Sequence, residues 1–269
     1  MTHHGDPVPI TANTVLPARH VPLALRTADG LTLVGEASLP VDRPARATIV
    51  CVHPLPTHGG MMDSHVFRKA AWRLPALAGV AVVRFNTRGT ESAAGRSEGV
   101  FDGGGAEGLD LLAALAWTRD HGLADPWLVG WSFGADVVMG HGRVPGVQGA
   151  ILLSPPLRFI APGQLQAWSG DGRPVVVVVP ELDDFLPPAE ARVRFAPLAQ
   201  AELIEAPGAK HLWVGETWVR WVLSRIVATV APEVPVPLPT EWVGPAERWD
   251  DLAPATGISQ ANSKPPVNC

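Results

Sequence analysis

Ser132 lies in the pentapeptide Gly130-Trp131-Ser132-Phe133-Gly134. A serine hydroxyl is a weak nucleophile and needs a neighbouring base to attack a carbonyl. The G-x-S-x-G spacing suits a serine on a sharp strand-to-helix turn, with strained backbone and exposed Oγ. Side chains two positions either side of such a serine would collide, and glycine has none. The flanking residues fit that geometry: Trp127–Val129 reads as a strand and Phe133–Met139 as the start of a helix. A helix start also turns its free N–H groups toward developing negative charge. The chemistry such a residue serves is acyl transfer through a covalent intermediate.

On this strand–serine–helix arrangement an acid and then a histidine follow the serine in the chain. The acid belongs after the apolar run Val175–Val179, in the loop Pro180-Glu181-Leu182-Asp183-Asp184-Phe185-Leu186-Pro187. Asp183 and Asp184 both qualify, and Glu181 is a weaker choice. The acid accepts from imidazole Nδ1–H, fixes the tautomer and stabilises the imidazolium. His211 follows the run Ala201–Glu205 and the loop Ala206–Lys210, and is expected to open the last helix. A loop there reaches the carboxyl edge of a parallel sheet, where such sites sit. His3 and His4 fall in a terminal arm, and His121 and His141 end helices. His53, His58 and His65 cluster near one loop but lack the spacing of a metal site, so no metal is expected.

Acyl transfer also needs two N–H donors for the oxyanion. Phe133, next after the serine, is one candidate. The other is Leu55 in Pro54-Leu55-Pro56-Thr57-His58-Gly59-Gly60, because the two prolines carry no N–H and stiffen the loop. His53 is read as a local brace for that loop.

The elements that must position these groups alternate. Strands are expected at Ala47–His53, Val80–Phe85, Trp127–Trp131, Gly149–Leu153, Pro174–Val179 and Ala201–Glu205. Helices are expected at Asp63–Leu77, Ala106–His121, Phe133–His141, Pro188–Pro197 and Leu212–Val230. Nearly continuous apolar strands separated by helices imply an α/β class with a parallel sheet covered on both faces. Before them, His20–Thr27 and Leu31–Leu39 flank Asp29-Gly30, a hairpin signal in which both central residues tolerate positive φ. Residues 1–19 read as a flexible arm, 20–230 as the domain, and 231–269 as a proline-rich extended tail, either pinned in part by Trp242 and Trp249 or mostly disordered.

Hydrophobic residues make up 46% of the 269 and charged ones 17%, enough apolar surface for a core and against global disorder. The net charge of −5, with no basic stripe, argues against a nucleic-acid partner. Two cysteines, Cys51 and Cys269, do not make a disulfide framework, and no signal peptide or membrane-length apolar run is present. A cytoplasmic location is the expectation.

Together, His53-Pro54-Leu55-Pro56 with Gly59-Gly60, Arg84-Phe85-Asn86-Thr87-Arg88-Gly89, Gly130–Gly134, Ser154-Pro155-Pro156 and Lys210-His211-Leu212-Trp213 resemble an esterase-like bacterial branch of the α/β-hydrolase superfamily. The likeness spans about residues 47–230. It implies the α/β-hydrolase fold, an N-terminal antiparallel hairpin, and catalytic roles at Ser132, Asp183 and His211. Asp183 is preferred to Asp184 because related enzymes often read D-x-x-[VIL]-P there. Glu91 departs from the related R-G-x-G-x-S pattern. Only residues 154–173 separate two strands where caps are often inserted, so an open cleft without a large lid is expected. Leu157, Phe159, Ile160, Trp168, Met61 and Met62 are candidate walls. Arg84 and Arg88 either brace the loop beside the serine or bind a carboxylate, and Glu107 and Asp110 are expected to pair locally. The expected function is hydrolysis of small-to-medium acyl esters without a cofactor, on a small-molecule ester. Rival readings are an acyltransferase, thioesterase or peptidase on the same three residues, or a non-catalytic interaction module.

Overall fold

The structure is a computed structural model that describes residues 6–252 except Ala124. Cys269 therefore lies outside the described residues. An eight-stranded sheet forms the centre. Its strands are β1 (Arg19–Arg26), β2 (Thr32–Leu39), β3 (Ala47–Val52), β4 (Val80–Phe85), β5 (Trp127–Trp131), β6 (Gly149–Leu153), β7 (Val175–Leu182) and β8 (Ala201–Lys210). Across the sheet they run β1-β2-β4-β3-β5-β6-β7-β8. The first two pairings, β1 with β2 and β2 with β4, are antiparallel, and the rest are parallel. This is the α/β-hydrolase fold.

The helices are α1 (His65–Ala78), α2 (Glu107–Asp120), α3 (Phe133–His141), the short α4 (Pro162–Gln166), α5 (Pro188–Phe195) and α6 (Glu216–Val230). Strand alternation sorts the core into two layers. Val50 and Val52 of β3 and Val175, Val177 and Val179 of β7 face α2, α3 and α5. Ile49 and Cys51 of β3 and Val176 and Val178 of β7 face α1 and α6. A strand buried on both faces reads as an unbroken apolar run, which is why β3 to β7 are visible in the sequence.

The hairpin turn between β1 and β2 differs from expectation in detail. Only Gly30 takes a positive φ, at 90°; the Gly30 N–H donates to the Thr27 carbonyl at 3.0 Å. The last helix begins at Glu216, not Leu212. Trp213 at φ 53° and Gly215 at φ 102° interrupt the chain before it. His211 therefore stands on the loop after β8 and opens no helix.

The ends of the described chain are joined to each other. Val8–Pro9 pairs antiparallel with Glu241–Trp242, and Thr14–Val15 with Glu247–Arg248. Leu16 and Leu238 are buried, and the Trp249 ring lies 5.0 Å from that of Trp72. Residues 8–16, part of the stretch read as a loose arm, are thus held by a segment far away in sequence, which no local periodicity reveals. No described helix is long and apolar enough to cross a membrane.

Candidate active site

The turn from β5 into α3 puts Ser132 at φ 54° and ψ −124°, a left-handed backbone that non-glycine residues rarely adopt. Its N–H donates to the Leu153 carbonyl at 2.8 Å, which fastens the strained residue to β6. The two glycines are required by contact. A Cβ on Gly134 would lie 1.9 Å from the Val52 carbonyl oxygen, and one on Gly130 would lie 2.4 Å from the Gly134 carbonyl oxygen. The helix therefore rides directly over the end of β3, and the loop that follows β3 begins beside the serine.

His211 reaches this turn from the far side of the sheet edge. Its Nε2 is 2.9 Å from Ser132 Oγ, and its Nδ1 is 2.9 Å from Asp183 Oδ2. Asp183 Oδ1 accepts the N–H groups of Phe185 at 2.8 Å and Leu186 at 3.2 Å. Asp184 is exposed, and Glu181 is turned to accept the Gly208 N–H. The His211 carbonyl accepts from Trp131 Nε1 at 3.2 Å and from Ser154 Oγ at 3.1 Å, so the backbone beneath the imidazole is held as well as the ring. A carboxylate on one nitrogen and a hydroxyl on the other define one tautomer: Nδ1–H donates to Asp183, and Nε2 accepts from the serine.

Leu55 precedes the single turn Pro56–His58. The N–H groups of His58, Gly59 and Gly60 are spent inside that turn on the Leu55 and Pro56 carbonyls. Among the described residues neither the Leu55 N–H nor the Phe133 N–H makes a hydrogen bond. His53 braces the loop from beneath. Its Nδ1–H donates to the Pro54 carbonyl at 2.7 Å, and its Nε2 accepts the Thr87 N–H at 3.0 Å. Burial pushes the imidazole down to about 4. Since the unfolded value is near 6.5, this group adds stability above about pH 6.5 that is lost as the pH falls through about 4. His53→Gln, which can supply both hydrogen bonds without titrating, isolates the effect. The stability advantage of the parent over His53→Gln, measured by urea unfolding, should shrink by about 3 kcal/mol between pH 7 and pH 4. An advantage independent of pH would overturn this.

The remaining candidates separate clearly. Arg84 donates to Asp63 Oδ1 at 2.7 Å and to Glu36 Oε1 at 2.5 Å; Arg88 pairs with Asp110 and Asp29. Both guanidiniums are consumed: Arg84 ties the Met62–Asp63 segment to Glu36 of β2, and Arg88 braces its own loop against Asp110 and Asp29. Asp110 thus serves Arg88, whereas Glu107 accepts the Asp102 and Gly104 N–H groups locally. The stretch Gly103-Gly104-Gly105-Ala106-Glu107-Gly108 has the spacing of a phosphate loop, but here the Glu107 carboxylate occupies amides that a phosphate would need. His58 and His65 bond to Thr57 and to the Trp213 carbonyl, apart from His53. Among the described residues no group of three His, Cys, Asp or Glu is placed to hold a metal.

Of the candidate walls, Trp168, Met62 and Leu157 are buried in the packing, and Trp168 Nε1 donates to the Met139 carbonyl at 2.9 Å. Met61, Phe159 and Ile160 are half-buried. Phe101 and Phe159 pack on Phe133 with centroids 5.3 and 5.1 Å away. A cavity of about 400 Å³ lies between the Pro56–Met61 turn and the Arg88–Phe101 segment. A larger one of about 620 Å³ opens at the amino ends of β3 and β5, the edge of the sheet opposite Ser132. Only the five-residue α4 occupies the place where a cap is often inserted.

Two residues with a part in the site escaped the sequence reading. Asp136, fully buried on α3, accepts the N–H groups of Leu157, Arg158 and Phe159 at 2.7–2.9 Å. Its burial raises the carboxyl to about 6. The signal was one acid in the otherwise apolar run Phe133–Met139. Phe185 lies 4.4 Å from the His211 ring, and nothing in its loop position marks that contact.

No family model matches the chain. An uncharacterized protein of Rickettsia prowazekii is 32% identical over 120 residues, covering 44% of this chain and 48% of that protein; the chain thus matches about half the length of that relative. An α/β serine hydrolase homologue from Coxiella burnetii superposes with a TM-score of 0.66 at 26% identity, covering 78% of this chain and 97% of that one. A lidless α/β serine hydrolase from Xanthomonas campestris gives 0.64 at 26% identity over 82% and 98%. A Pyrococcus furiosus esterase shares the fold, with a TM-score of 0.63 at 19% identity over 79% and 93%.

Proposed function

We propose that this chain, whose structural neighbours are α/β serine hydrolases, is a serine hydrolase that cleaves small-to-medium acyl esters. The observation that carries the reading is the single imidazole bonded at 2.9 Å to a strained serine on one side and a buried aspartate on the other. His211 takes the Ser132 proton as Oγ attacks the ester carbonyl. The Leu55 and Phe133 N–H groups, uncommitted among the described residues, receive the oxyanion. His211 then gives its proton to the leaving alcohol, and later takes one from water for deacylation. Asp183 holds the imidazole in the accepting tautomer and stabilises the imidazolium. Half-buried Leu55, Phe101, Phe159 and Ile160 offer an apolar bed for the acyl chain, and the short α4 leaves it open.

The test is a fluorophosphonate probe, which phosphonylates an activated serine. Mass spectrometry should find the adduct on Ser132, and His211→Ala should abolish it while circular dichroism stays unchanged. Folded protein that takes no label at Ser132 would refute an activated serine.

A further inference from the structure

Asp136 does more than fill the core. Its one carboxylate gathers three consecutive N–H groups, those of Leu157, Arg158 and Phe159. Leu157 takes a φ of 53° in this clasp. The two outer side chains turn inward, Leu157 into the core and Phe159 against Phe133 and Phe101. The middle one turns out. The Arg158 guanidinium lies over the exposed Phe185 ring, 4.9 Å from its centroid, and that ring in turn lies 4.4 Å from the His211 ring.

Arg158 is exposed and, among the described residues, forms no ion pair. The buried acids beside it are already occupied. Asp183 is bonded to His211, and Asp136 is saturated by the three N–H groups. A guanidinium with one face on an aromatic ring keeps its planar edge of N–H donors free, and that edge matches a carboxylate in bidentate fashion. His211 is the group that protonates the departing alcohol, so a ring tilted against it, with a guanidinium over that ring, lies on the leaving-group side.

We propose that Arg158 is a specificity-determining residue that binds a carboxylate on the leaving group, so that the preferred substrates are esters of carboxylate-bearing alcohols or phenols. The inference rests on the serine-hydrolase reading of the same site.

The test compares para-carboxyphenyl butyrate with para-carbamoylphenyl butyrate, which differ in charge and little in size. Their kcat/KM values are normalised to hydroxide-catalysed hydrolysis. The parent protein should favour the anionic ester by about tenfold or more, a ratio that added NaCl reduces. Arg158→Gln should bring the ratio near one, and Arg158→Lys, a point charge without the planar fork, should keep only part of it. Equal ratios in parent and Arg158→Gln, with hydrolysis that disappears in Ser132→Ala, overturn the inference and leave the hydrolase standing. Hydrolysis of neither ester above the Ser132→Ala level refutes both.

Discussion

Replacing Asp183 by asparagine should lower kcat/KM for a nitrophenyl ester by about 10⁴-fold, whereas Asp184→Asn should leave it within about twofold. The difference comes from how the acid loop is wired. Asp183 Oδ1 already accepts two backbone N–H groups, from Phe185 and Leu186. In the asparagine variant only the amide oxygen can occupy that position, so the amide NH₂ must turn toward His211 Nδ1. Two donors cannot face each other, and the imidazole shifts its proton to Nε2. It then presents N–H to Ser132 and cannot act as a base. Size and hydrogen-bond count are preserved, so the melting temperature should move little while turnover collapses. Asp184 is exposed and plays no part in this wiring. Activity retained in Asp183→Asn and lost in Asp184→Asn would reassign the acid.

The second large effect is expected at Gly134. Alanine there would set its Cβ 1.9 Å from the carbonyl oxygen of Val52 and 2.5 Å from its carbon. Both are backbone atoms of β3, buried on either face, so neither can yield cheaply. Either α3 lifts from the sheet or the strand end bends, and each displaces Ser132. We expect a cost of about 3 kcal/mol or more, a fall in melting temperature of roughly 10 °C, and loss of fluorophosphonate labelling. Gly163→Ala is the control, since a Cβ there meets nothing within 4 Å. A Gly134→Ala protein that melts and labels like the control would show that the close approach is not obligatory.

The parts of this molecule that could be read beforehand are those governed by local pattern. Strands β3 to β6 are short apolar runs between breakers, and each was legible to within a residue or two because burial on both faces leaves little room for polar positions, Thr48 and Arg84 excepted. The Gly130–Gly134 turn was legible because collision around Ser132 dictates the residue types. The histidine loop was not, because its course depends on a strand that continues past Pro207-Gly208, with Lys210 aligned with Leu182 across a register shift. Spacing alone also left Asp183 and Asp184 equivalent. What separates them is which carboxylate accepts from the Phe185 and Leu186 N–H groups and from His211, a three-dimensional fact. Arg88 and Asp110 illustrate the same limit: the two charges lie 22 positions apart and were read separately, yet they form one buried pair.

The pairing of Val8–Pro9 with Glu241–Trp242, and of Thr14–Val15 with Glu247–Arg248, sets an order of events during synthesis. At about 5–20 residues per second, a ribosome needs roughly ten seconds or more to pass from the first of these segments to its partner. Through that interval the sheet and its helices can assemble, but residues 8–15 lack their strand partners and are held only by the bonds that Thr11 and Leu16 make with α1. They dock last, together with the latest-made of their partners. A nascent chain stalled before residue 241 should therefore leave residues 8–15 open to a protease, and release of the stall should close them.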